Sequence, residues 1–117
     1  MPIERFEDII VWQKGKELAL LVYEHFRENR DYAFRDQIQR ASVSIMNNIA
    51  EGFERKGARE FSKFLYIAKG SSGEVRSMLY LAKELKYIGD SDFQKLFGLS
   101  EEISKMLSGL IKSLGVT

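Results

Sequence analysis

Beyond position 2 the chain contains no proline. A proline inside a helix removes an amide donor and clashes with the turn before it, so long helices need proline-free stretches. This chain offers them over nearly all of its 117 residues. An all-β chain of this length would need more turn punctuation than this. Apolar residues instead recur at three- and four-residue spacing, the period that places side chains on one helical face.

Four helices are predicted, over about 7–28, 32–53, 59–86 and 92–114. The first gathers Val11, Gly15, Leu18, Ala19, Val22 and Phe26 on one stripe, with Trp12 and Tyr23 at its edge. The second gathers Phe34, Ile38, Ala41, Ile45, Asn48 and Ile49, and Gly52 and Gly57 bracket its exit as candidate left-handed residues. The third gathers Phe61, Phe64, Leu65, Ala68, Ser72, Val75, Leu79 and Ala82 and stops at Gly89. Ser91 followed by Gln94 reads as a capping box for the fourth. Its stripe is Leu96, Leu99, Ile103, Met106, Leu107, Leu110 and Leu114. Every link is short, and short links between long helices make antiparallel neighbours. The predicted fold is all-α: one domain over 1–117, an up-down-up-down four-helix bundle.

Hydrophobic residues at 44% and charged residues at 30% suit a folded chain that needs no metal or cross-link for its core. There is no cysteine, which excludes disulfides, thiolate catalysis and cysteine-bound zinc. The first residues lack an apolar signal core, and no run approaches the roughly 20 apolar residues of a membrane span. A cytoplasmic protein with no membrane partner is expected. The formal charge is +1, so any nucleic-acid contact needs a local patch.

The second and third helices carry more apolar surface than one core stripe uses. Val43, Met46, Ala50 and Phe53 lie roughly opposite the Ile38/Ile45/Ile49 stripe. Tyr66, Gly70, Gly73, Ser77 and Tyr80 or Leu81 form a further line on the third helix. A helix with two apolar faces should bury both. These residues are the expected interface of a homo-oligomer.

Candidate chemistry is sparse. His25 is the single histidine and lacks the Glu-x-x-His partners of a bundle metal site, so it is expected at the surface or an edge. Neither a metal nor another cofactor is expected. Trp12, within an apolar stretch, reads as a core anchor. Arg40, Ser44, Asn48, Glu51, Ser71 and Glu74 form a candidate polar cluster along the second and third helices. An acid/base pair or ligand pocket is one reading of it, and a network that fixes helix register is the stronger. Arg55, Lys56, Arg59 and Lys63 concentrate positive charge at the second link, diluted by Glu54 and Glu60. Nothing completes a nucleophile or metal set, so no enzyme is expected.

Several segments resemble a known family. These are FEDIIVWQK (Phe6 to Lys14), DYAFRDQIQRA (Asp31 to Ala41), SIMNNIAEG (Ser44 to Gly52), EFSKFLYIAKGSSGE (Glu60 to Glu74) and LAKELKYIG (Leu81 to Gly89). Together they resemble the four-helix-bundle proteins of 23S rRNA intervening sequences, which are related to accessory proteins of diversity-generating retroelements. The resemblance implies an antiparallel four-helix subunit in a homopentameric ring. Members often carry proline where this chain has Met46, and methionine leaves the second helix free to run straight. The expected function is a non-catalytic homo-oligomer, pentameric by resemblance, with RNA or a nucleic-acid-processing protein as candidate partner through Arg55, Lys56, Arg59 and Lys63. The alternative is a structural or protein-interaction ring with no nucleic-acid role.

Overall fold

The fold is seen in a computed structural model that describes residues 3–116. Four helices follow a short 3-10 turn at Phe6–Asp8: α1 (Ile10–Phe26), α2 (Tyr32–Glu54), α3 (Ala58–Glu84) and α4 (Asp90–Leu114). The predicted order and number hold, and α2 runs through Met46 without a break. Each helix packs against the next and α4 closes on α1, giving a bundle of 43 × 23 × 20 Å.

The apolar period decides which faces turn inward. The α1 stripe is buried as predicted, from Val11 to Phe26. Phe34, Ile38, Ala41, Ile45 and Ile49 of α2 meet Leu65, Ala68, Val75, Leu79 and Ala82 of α3 in one core. Leu96, Ile103 and Leu107 complete it from α4. Phe61 and Phe64 are half-buried at the connector end, and Trp12 packs at the rim, edge-on to Phe6 at 5.2 Å.

The core also contains hydroxyls. Ser72 is fully buried and donates to the Ser100 carbonyl at 2.9 Å. Ser104 donates to Ser72 at 2.9 Å, and the Arg76 guanidinium donates to Ser104. This chain fixes the register of α3 on α4, because a slip would strand buried polar groups.

Helix ends depart from prediction. The capping box is absent: Gly89 is the residue before α4, and Ser91 and Gln94 lie inside its first turns. Asp90 and Asp92 sit there instead and suit the positive end of the helix dipole. After α2 and α3 the left-handed positions are lysines, whereas after α4 the position is Gly115, at φ 70°. Gly57 is extended at φ −143°, whereas Lys56 has φ 65° and Lys86 φ 62°. After α3 the Tyr87 amide donates to the Ala82 carbonyl at 2.8 Å, the long-range bond of a Schellman ending with Lys86 in the left-handed place. Gly52 is not at an exit but buried inside α2.

Asp31 caps α2 by accepting from the Phe34 amide at 3.2 Å, and its other oxygen accepts the Tyr87 hydroxyl at 2.7 Å. One carboxylate thus ties the first link to the third. That hydrogen bond, followed by burial and the Asp31 charge, raises the Tyr87 pKa above its ordinary value of about 10. A raised phenol pKa means that the unfolded chain deprotonates first. Stability from this contact is therefore full below about pH 10 and is lost as pH rises through the folded value. Ultraviolet titration should find one tyrosine ionising later than the others. Asp31→Asn should return it to the group, and a wild-type profile unchanged by Asp31→Asn would contradict the assignment.

Candidate functional site

The predicted basic cluster lies where α2 turns into α3. There Arg55 donates to Glu51 at 2.9 Å and stands 3.7 Å from Glu60, while its guanidinium covers the Phe64 ring. Lys63 pairs with the same Glu60 at 3.3 Å. Lys56 lies over the Phe53 ring. Two of the four cations are thus balanced by acids one turn away. Such exposed pairs contribute little stability, but they lower the local positive potential.

The predicted polar cluster divides in four. Ser44 and Ser71 bridge α2 and α3 at 2.8 Å, and Asn48 donates to the Ser44 hydroxyl at 2.9 Å and to its carbonyl at 2.8 Å. Glu74 accepts from Gln37 at 3.0 Å. Glu51 is taken by Arg55. Arg40 joins none of these bonds; it stands between a shallow groove of about 560 Å³ over α2 and a smaller one above Ser44 and Ser71.

His25 is half-buried: its Nδ1 donates to the Leu21 carbonyl at 2.8 Å, and Nε2 lies 3.4 Å from Asp92. No group of three or more metal-ligating side chains gathers among the described residues. No described helix is long and apolar enough to cross a membrane.

The candidate interface residues take different places. Met46 lies beside Gly15 of α1, where an added Cβ would be 3.5 Å from the Met46 Cβ. Phe53 packs on the core and edge-on to Phe61 at 5.8 Å. Both are half-buried, so part of their apolar surface is met within the subunit. Val43 lines the groove beside Tyr23, and Ala50 is half-buried. On α3 the surplus is open: Tyr66, Ile67, Tyr80, Leu81 and Leu85 are all exposed, and nothing approaches the Cβ position of Gly70. Gly73 is half-buried.

Residues 7–109 match the family described as 23S rRNA-intervening sequence protein. The chain belongs to that family. A crystal structure of a protein from Bacteroides thetaiotaomicron VPI-5482, described as of unknown function and from the S23 ribosomal protein family, is 28% identical. It superposes with a TM-score of 0.81 over 87% of this chain and 98% of that one. Comparison with functionally curated proteins gives no match. Gly52, at the end of the family segment Asn48 to Gly52, meets Phe61 and Phe64 at the α2–α3 seam, while Ser71 and Glu74 from the third-helix segment meet Ser44 and Gln37 farther along it. Sequence reasoning placed Ser72 on the inward stripe but missed its bonds to the Ser100 carbonyl and, through Ser104, to Arg76; Ser72 and Ser100 are buried, and Ser104 and Arg76 are half-buried.

Proposed function

We propose that this protein is a non-catalytic, self-assembling helical scaffold whose copies meet through the outer face of α3. The observation that carries this is the exposure of Ile67 and Leu81 on one face of α3, with Leu85 just past its end, on a helix whose other face is already in the core. Gly70 on that face lets another backbone approach. The family resemblance supports five copies in a ring. Sedimentation velocity tests the reading. The wild type should sediment as an oligomer, and Ile67→Glu with Leu81→Glu should give folded monomers. A wild type that is monomeric at micromolar concentration would end it.

A second reading is that the assembly engages RNA. The family description supports it, as do Lys56 and Arg59, which are exposed and in no ion pair among the described residues. The near-neutral total charge and the pairing of Arg55 and Lys63 favour a ring that binds protein alone. Binding to phosphates weakens steeply as salt rises, and binding to a protein through apolar surface does not.

A further inference from the structure

A different row of α3 runs beside α4: Tyr66, Lys69 and Tyr80 are exposed, and Gly73, Arg76 and Lys83 are half-buried. These residues are three and four apart, so they share a face, and the row is about 25 Å long at 1.5 Å per residue. Aromatics and cations are interleaved along it without an acid. None of Lys69, Arg76 and Lys83 is in an ion pair among the described residues, unlike Arg55 and Lys63 of the connector.

α4 holds much of the row in place. Arg76 donates to Ser104. The Tyr80 ring stands edge-on to Phe97 at 5.1 Å, and Lys83 lies 4.7 Å over the Phe93 ring. Tyr66 and Lys69 wall a groove of about 410 Å³ with Ser108 and Lys112. The two tyrosines nevertheless remain 59% and 57% exposed. Gly73 leaves the middle of the row low, with only the Arg76 guanidinium near its Cβ position, at 3.6 Å.

Solvated lysines alone are an ordinary surface. Open aromatic rings between unpaired cations are a more particular one. Rings on a convex helix surface cannot reach the stacked bases of a duplex, whereas unpaired bases can lie on them while phosphates meet the cations between. We infer that the α3–α4 seam is a track for single-stranded RNA, with bases on Tyr66 and Tyr80 and phosphates at Lys69, Arg76 and Lys83. This rests on the RNA reading above and moves the contact from the connector to the seam.

Fluorescence anisotropy with a labelled single-stranded RNA of about twelve nucleotides tests it on the full chain. Tyr66→Ala should weaken binding about tenfold. Its ring is not part of the Tyr80–Phe93–Phe97 cluster, and an unchanged melting curve would show that the fold is intact. Lys69→Gln and Lys83→Gln should each make the salt dependence shallower by about 0.7 in log–log slope. Lys95→Gln, away from the seam, should change neither. If the loss follows Lys56→Gln with Arg59→Gln instead, the seam is wrong and the RNA reading survives. If no RNA binds at any salt concentration, both fail. Equal binding of a duplex would overturn the single-strand assignment. So would a Tyr66→Ala variant that changes sedimentation but not RNA affinity, because the row would then be a contact between copies.

Discussion

Phe26→Ala should cost about 3–5 kcal/mol of folding stability. Phe26 ends α1 and is fully buried. Its ring meets Phe34 of α2 edge-on at 5.4 Å, and Phe34 meets Tyr87 in the same way at 5.2 Å. Truncation removes the transfer free energy of a whole ring and leaves a cavity beside Phe34. It also removes an aromatic pair, which contributes about 0.5–1.5 kcal/mol beyond its area. Tyr87 is itself tied to the Asp31 cap, so the packing that surrounds that hydrogen bond loosens as well. Against a total stability of about 5–15 kcal/mol this is a large fraction. Thermal unfolding followed by circular dichroism, at one fixed protein concentration because assembly shifts the midpoint, should show a drop of at least about 10 °C. A loss below about 1 kcal/mol would mean that this end of the bundle is not packed as described.

The apolar faces were legible because burial repeats with the helix. Val11 to Phe26 could be read directly, and so could Leu96, Ile103 and Leu107, since these inward positions recur at helical spacing and, Gly15 aside, are apolar. Serine carries no such signal. Ser72 could be placed inward by its spacing alone, but Ser100 and Ser104 suit water as well as a core, and only their convergence on Ser72 from the other helix reveals the hydrogen-bonded chain. Helix ends were obscured by residues outside their usual roles. Lys56 and Lys86 stand where glycine is common, while Gly52 has the helical interior that glycine usually avoids.

The candidate surfaces were legible as composition but not as pairing. Arg55 and Lys63 raise the local count of cations, yet Glu51 and Glu60 fall within reach only once the turn is formed. A line drawn through Tyr66, Gly70, Gly73, Ser77 and Tyr80 crosses two different surfaces. The position of α4 separates them: Tyr66, Gly73 and Tyr80 border that helix, whereas Gly70 goes with the apolar row of Ile67 and Leu81. Likewise the apparent second face of α2 is partly spent on α1, because Gly15 lets the two helices come close at Met46.

Gly52→Ala should destabilise the fold by about 2 kcal/mol, although alanine is the better helix former. A Cβ at Gly52 would lie 2.6 Å from the Phe64 Cβ and 3.1 Å from a Phe61 ring carbon. Optimal carbon contacts are about 3.5–4.0 Å. The Phe64 Cβ is fixed to the α3 backbone and cannot rotate away, so relief requires the helices to separate by nearly 1 Å. The propensity gain of about 1 kcal/mol offsets only part of that cost. Gly98→Ala and Gly109→Ala supply the contrast. Both residues are exposed within α4, and nothing lies within 4 Å of their Cβ positions. There the same substitution should stabilise by about 0.5–1 kcal/mol, the bare propensity term. Denaturant unfolding of the three variants would show opposite signs, and a Gly52→Ala variant as stable as the wild type would refute the close approach. The effect should also extend along the seam. Ser44 and Ser71 are joined two turns from Gly52, and a wedge at Gly52 stretches their 2.8 Å bond. Ser71→Ala should then cost less in the Gly52→Ala background than in the wild type, because a bond already strained has less to lose.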